Sequence, residues 1–397
     1  MKIAFGILLL CIASAILWFV AGPAEPVASA ALRIAWATEL PDPGSIMATP
    51  LIDGESVWVT AIEDNGTFRA AGSVVRLDSR TGKAVSRWDN RGKMLHAIGS
   101  PSRVGTRIVV GEGMHANRFC GLSAFDAASG ETLWRYPVRS HIEGAAVSEG
   151  HRIVFPAGDD GLVCLNLDGS KRWHFSGSLH FDASPILTPD AVLAGSAISR
   201  ARPEAAIVWL DPDTGAEIRR MPSEMSVWNL LIDDDRLIAS CGNGKLLSSD
   251  KNPRGAWLML DRKTGRRIWQ CDARDNIPSA GLIDDGVLIA GSRDGWLYRI
   301  ACDDGRILDR WNLGSPVLSS PMRYRGGCLV VASSGKVWEI PKGSGPNMRL
   351  DLAGELGARV TVAGSPKLDA FGRIIVVAEI FRGGPSSAGI FALEESP

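Results

Sequence analysis

The stretch "LMLDRKTGRRIW" (258–269) decides how the rest of the chain is read. An alternating apolar run ends on Asp261, a short turn closes on Gly265, and a second run carries Trp269. An Asp at the head of a turn accepts hydrogen bonds from N–H groups two residues on, and the Gly supplies the positive φ that ends it. Two short runs around such a turn predict a β-hairpin. A Trp on the outer strand buries a large ring and keeps its N–H available to a polar partner. The stretch therefore reads as a turn and a wedge.

It is also one copy of many. The same pattern appears as "VVRLDSRTGKAVSRW" (74–88), "LSAFDAASGETLW" (122–134), "LVCLNLDGSKRW" (162–173), "IVWLDPDTGAEIRR" (207–220) and "LYRIACDDGRILDRW" (297–311). Two degenerate copies follow, "VWEIPKGSGPNMRLDL" (337–352) and "IFALEES" (390–396). Asp78, Asp126, Asn166, Asp211, Asp261, Ala301, Pro341 and Glu394 share one slot, at the roughly 40–50-residue period of propeller blades. The recurrent glycines are Gly82, Gly130, Gly169, Gly215, Gly265 and Gly305, and the tryptophans are Trp88, Trp134, Trp173, Trp269 and Trp311. Before most copies lies a strand pair whose first strand opens at Ser-Pro or Thr-Pro, and Pro at a strand start costs no ladder hydrogen bond.

Each unit is thus four strands, a to d. The eighth lacks its Trp strand, and "LRIAWATELPDPGSIMATP" (32–50), with Trp36 in the Trp slot, supplies it from the other end. Such closure removes the open sheet edge. The expectation is an all-β protein, an eight-bladed β-propeller closed by its N-terminal strand.

Residues 31–397 are expected to form that single domain. Residues 1–30 stand apart: Lys2, an apolar run to Val20, and "VASA" before position 31 fit an export signal. The run approaches the length of a membrane span, so a cleaved signal and an uncleaved anchor both stay open, with a possible membrane tether through residues 3–20. Cys11 follows Leu10 in a poor lipid-attachment context. Either version places the domain in the periplasm or cell envelope. The net charge of −1 argues against wholesale nucleic-acid binding, which calls for a net basic surface. Cys120, Cys164, Cys241, Cys271, Cys302 and Cys328 show no C-x-x-C spacing and read as buried apolar residues of strands, with pairing left open.

The repeats resemble the tryptophan-docking motif of the PQQ-like (quinoprotein alcohol dehydrogenase-like) propellers, A-x-D-x-x-T-G-x-x-x-W, most closely in "FDAASGETLW" and "LDRKTGRRIW". The resemblance covers residues 32–397 and implies the fold. Its enzymatic branch implies PQQ, calcium, a catalytic Asp and, in many members, an adjacent-cysteine disulfide; this chain has no Cys-Cys pair, no C-x-x-C-H and no large insertions. The other branch, the BamB outer-membrane assembly factors, is similar in length, export signal, blade count and closing strand. That likeness implies a non-enzymatic scaffold with a protein or peptide partner in the envelope and no cofactor. The alternative is a PQQ- or metal-dependent oxidoreductase with its site at the channel mouth.

Two groups of residues stand outside the repeat. The b–c loops of blades 1, 2, 4, 5 and 8 are long and carry Arg69, Arg118, Arg200, Arg202, Lys245, Lys251, Arg254 and Arg382. Variable loops on one face of a rigid scaffold are where function concentrates, and basic clusters attract acidic partners. His96, His141 and His180 each lie five residues before strand a of consecutive blades, with Asn276 in a comparable place. Strand a lines the channel, so the three imidazoles are candidates for a metal or anion site at its mouth. No serine elbow, P-loop, HExxH or paired-carboxylate signature occurs.

Overall fold

The structure, a computed structural model, describes residues 31–63, 71–114, 117 and 119–397. Blade 5 shows the unit: Ser226–Asp233, Arg236–Gly242, Gly255–Asp261 and Arg267–Ala273 form an antiparallel meander in chain order. Eight such blades surround an axis, with strand a innermost. Blade 8 closes as its sequence expects. Arg359–Thr361 and Lys367–Leu368 both pair with Ile374–Phe381, then comes Ser387–Glu395, and Leu32–Ser45 is the outer strand. Leu32 faces Glu395 and Trp36 faces Ala392 across that last ladder. The far end of the same strand pairs Gly44 with Glu63 and so ties the closing strand to blade 1.

Apolar side chains from both faces of each sheet meet those of the neighbouring blades, so the core lies in the seams. Between blades 5 and 6, Trp257, Met259 and Trp269 pack with Leu288, Ala290 and Tyr298. Burying one such large side chain contributes on the order of 1.5–3 kcal/mol. The six cysteines are buried and unbridged, and burial pushes their thiols up to about 11 or 12.

The turn-and-wedge reading acquires geometry at these seams. Asp261 Oδ1 accepts from Thr264 N and Oγ1, both at 2.7 Å. Gly265 closes the turn at φ +70°. Trp269 reaches into blade 6, donates to Cys302 O at 2.8 Å, and lies so close to Gly305 that a Cβ there would meet Cδ2 at 2.7 Å. Trp36, Trp134 and Trp173 repeat the device against Gly82, Gly169 and Gly215. A β-bulge orients the ring: Met259 pairs with Trp269 but Leu260 pairs with Arg267, so Ile268 is squeezed outward.

Two copies place Trp differently. Trp88 and Trp311 sit ten residues after their slot residues instead of eight, one pleat repeat along the same face. Trp88 accordingly stacks on Phe125 at 4.6 Å and leaves Gly130 untouched. Blades 4 and 7 have no Trp in strand d; Arg219 and Arg349 occupy the place eight residues on.

The Ser-Pro and Thr-Pro starts line an inner ring. Thr49 N donates to Ser100 Oγ, Ala145 N to Ser184 Oγ, Ser320 N to Ser365 Oγ, and Ser365 N to Thr49 Oγ1, at 2.8–3.0 Å. Each bond joins one blade to the next. A short helix, Leu352–Leu356, capped by Asp351, links blades 7 and 8 and is not foreshadowed by the repeat.

Candidate functional site

Antiparallel blades put the d–a and b–c loops on one face and the a–b and c–d turns on the other. On the first face, the d–a loop of blades 3 and 4 is stitched to two b–c loops. Phe181 exchanges backbone bonds with Gly158 at 3.0 and 3.1 Å, and Ala197 N donates to His180 O at 2.8 Å. These bonds fix the backbone on both sides of His180. The neighbouring d–a loop brings His141 close to Gly158, where a Cβ would lie 3.0 Å from His141 Cε1 and 2.5 Å from Ser140 Oγ; φ +53° there also favours glycine.

The result is a buried His–Asp–His cluster. His141 Nε2 lies 3.0 Å from Asp182 Oδ1, and His180 Nε2 lies 2.8 Å from Asp182 Oδ2. The rings are 5.3 Å apart, centroid to centroid. Asp159 Oδ1 faces His180 Nδ1 at 2.7 Å, Ser140 Oγ faces His141 Nδ1 at 3.2 Å, and Glu143 Oε1 lies 3.7 Å from His141 Nε2. His141, His180 and Asp182 are all buried.

Burial opposes ionisation of Asp182, but the hydrogen bonds and charges of His141 and His180 hold its carboxyl well below the usual range. Burial also opposes charging His180, and Asp182 and Asp159 outweigh it and push the imidazole up to about 8. Glu143, unlike Asp182, is raised, by burial and by the Asp182 charge. Three carboxyl groups and two imidazoles thus stand within one small volume.

A cavity of about 560 Å³ opens beside the cluster, with Arg200, Lys245, Asn243 and Trp228 on its other walls. Trp228 Nε1 is buried without a hydrogen-bond partner. Trp228 also borders the axial mouth, a cavity of about 310 Å³ to which all eight blades contribute. Among the described residues lining that mouth, Glu143 and Asp182 are acidic and none is Lys or Arg. Such a lining offers the tricarboxylate PQQ no side-chain cation of its own. A cavity of about 580 Å³ on the opposite face holds Arg80, Arg325 and Arg373. Arg373 is bonded to Asp369 and Ser79 O, and Arg325 to Glu395.

The residues singled out from sequence disperse into several settings. His141 and His180 come together; His96 does not join them, and its Nδ1 lies 3.0 Å from Asn117 Oδ1. Asn276 is buried under the blade-5 loop, with Nδ2 on Lys245 O at 3.3 Å and Oδ1 unpartnered. Arg200 and Lys245 border the cluster cavity. Lys251 and Arg254 are exposed on the blade-5 loop, and Arg202 is half-buried, its backbone N–H on Ser199 Oγ. Arg382 forms a bidentate pair with Glu39 at 2.7 and 2.8 Å. Arg69 and Arg118 lie outside the described residues, as do residues 1–30.

Asp182, Glu143, Asp159 and Trp228 escaped the reading by sequence. A signal for two of them existed: "HIE" (141–143) and "HFD" (180–182) both place an acid two residues after His, whereas "HAI" (96–98) does not. In extended chain, residues i and i+2 face the same side.

A family model described as "Outer membrane protein assembly factor BamB" matches residues 70–257 and 254–378. The outer membrane protein assembly factor BamB of Bordetella pertussis is 24% identical over 312 residues, 74% of this chain and 78% of that protein. Among solved structures, BamB from Moraxella catarrhalis superposes with a TM-score of 0.65 at 14% identity, covering 91% of this chain and 99% of that one. A europium-containing methanol dehydrogenase reaches 0.52 at 13% identity, covering 84% and 85%. The propeller architecture is common to all of them.

Proposed function

We infer the role of this chain from the family it belongs to, that of the outer membrane protein assembly factor BamB. It is an exported, non-enzymatic scaffold of the cell envelope that holds a protein or peptide partner against its long-loop face. Residues 1–30 direct export, as a cleaved signal or as a tether through residues 3–20.

One observation carries the reading. Large apolar side chains stand exposed on the long b–c loops, Phe119 on blade 2, Ile198 on blade 4, and Leu246 and Leu247 on blade 5. Arg200, Lys245, Lys251 and Arg254 share the loops of blades 4 and 5. Apolar anchors set among cations are the composition of a protein-recognition surface, with the cations steering an acidic partner.

The test is photo-crosslinking in intact cells from positions 119, 198 and 247, compared with Arg80 and Asp304 on the opposite face. Adducts with outer-membrane assembly components are expected from the loop positions alone. Equal labelling from both faces, or none from the loops of a folded and exported protein, would overturn the reading.

A further inference from the structure

We propose that His141, His180 and Asp182 bind a divalent transition ion of the zinc class, with the fourth position open to an exchangeable ligand. This goes beyond the scaffold reading and stands independently of it.

The donor atoms already converge. The ligating atoms of the two histidines and Asp182 all lie within 4.8 Å of one another. Bonds of roughly 2.0–2.2 Å in a tetrahedral zinc site put ligand atoms about 3.3–3.5 Å apart. The two contacts to Asp182 are 3.0 Å from His141 Nε2 to Oδ1 and 2.8 Å from His180 Nε2 to Oδ2. Lengthening these two contacts by a few tenths of an ångström reaches that spacing, and the two imidazole donors lie within the same 4.8 Å bound.

The outer partners also suit an ion. A metal-bound His characteristically gives its other ring N–H to a carboxylate or other acceptor, which fixes tautomer and orientation. Asp159 stands at 2.7 Å from His180 Nδ1, and Ser140 Oγ at 3.2 Å from His141 Nδ1. Asp159 is itself held by Ser199 Oγ at 3.0 Å. The backbone bonds at Gly158, Phe181 and Ala197 keep the ligand loops rigid.

Charge and ligand type select the ion class. The Asp182 carboxylate, with Glu143 and Asp159 beside the two histidines, offsets a divalent charge in a buried site, and imidazole nitrogens favour zinc, cobalt, nickel or copper over magnesium and calcium. One side of the cluster opens on the cavity bordered by Arg200 and Lys245, so an exchangeable ligand reaches the ion from there.

The experiment uses purified chain stripped with chelator and titrated with Co²⁺ and Zn²⁺. One equivalent of Co²⁺ should develop the intense visible bands of a four-coordinate nitrogen–oxygen site, and Zn²⁺ should bleach them. His141→Gln and His180→Gln should each weaken binding by at least about 100-fold, and Asp159→Asn by about 10–100-fold, the range for outer partners of ligating histidines. His96→Ala should leave binding unchanged. Circular dichroism confirms folding of each variant, and the half-exposed Asp159 keeps the test valid should the buried variants fail to fold. No bands in the folded wild-type chain would overturn the proposal, and so would equal binding in Asp159→Asn or loss of binding in His96→Ala.

Discussion

Blade 5 hands its neighbour a tryptophan, whereas blade 7 hands its neighbour an arginine. Trp269 is an apolar wedge 8% exposed that needs one acceptor, Cys302 O, and one bare glycine, Gly305. Arg349, 4% exposed and eight residues after its own slot residue, sits at the bulge of its strand and needs two carboxylates: Glu339 on its own blade and Glu395 of blade 8, the latter at 3.1 Å. Blade 4 is a hybrid. Arg219 donates to Thr264 O at 2.7 Å, while Trp209, its cross-strand partner, sends its ring across the seam to Arg262 O at 2.8 Å. A seam therefore needs a long side chain with a donor at its tip and a matched receptor. The two solutions differ in how they fail.

The largest effects should separate the seams by their response to single and paired changes. Arg349→Ala leaves Glu339 buried beside an empty space and is expected to cost about 3–5 kcal/mol, the range for breaking a buried ion pair from one side. Arg349→Met with Glu339→Leu should recover most of that loss in urea unfolding. A double variant as unstable as the single would show that the charges are needed for more than each other. Trp269→Ala should cost a similar amount, about 3–5 kcal/mol for a buried Trp, and no second substitution in blade 6 should rescue it. Trp269→Phe keeps most of the packing and loses the bond to Cys302 O, so about 1 kcal/mol is expected.

The glycines sharpen the contrast within the Trp seams. Gly305 and Gly130 have nearly the same backbone, φ +74° and +73°. Only Gly305 lies under a ring, because Trp88 has moved two residues along its strand and stacks on Phe125. Gly130→Ala should then cost about 1–2 kcal/mol for the left-handed conformation alone. Gly305→Ala should cost clearly more, read as a larger drop in melting temperature. Equal drops would mean that the ring yields freely.

Fold and site were legible to very different degrees, for a physical reason. Closure by residues 32–45, the Asp-x-x-x-Gly turn and the Trp wedge recur, and recurrence turns a weak local signal into a register. Arg219 and Arg349 were hidden because a search for tryptophan passes over a cation in the same slot, although counting eight residues from Asp211 and Pro341 finds both. The His–Asp–His cluster joins loops of different blades, so its geometry depends on how neighbouring blades rotate about the axis. Spacing from strand a put three histidines at equivalent heights and did not tell which pair would turn toward a common point. The acid two residues on was the discriminating mark. It needs only the alternation of extended chain, which applies to loops as well as to strands.

The smallest effect is expected at the turn that opened the reading. Asp261 is held below its ordinary carboxylate value by the Thr264 hydroxyl and N–H, as Asp78 and Asp211 are by Thr81 and Thr214. A carboxyl whose folded value is depressed contributes stability that is complete above its unfolded value, about 3.9 for Asp. That contribution is lost as pH falls through the folded value. Asp261→Asn keeps an acceptor oxygen in the same place and removes the titration. The variant should therefore melt close to wild type at neutral pH and lose less melting temperature on acidification below about pH 4. The same change at Trp-seam and Arg-seam blades, Asp261 and Asp211, should flatten the acid slope equally, because the turn hydrogen bonds are the same in both. A difference between them would place part of the acid sensitivity in the seam itself, where Arg219 and not Trp269 holds the next turn.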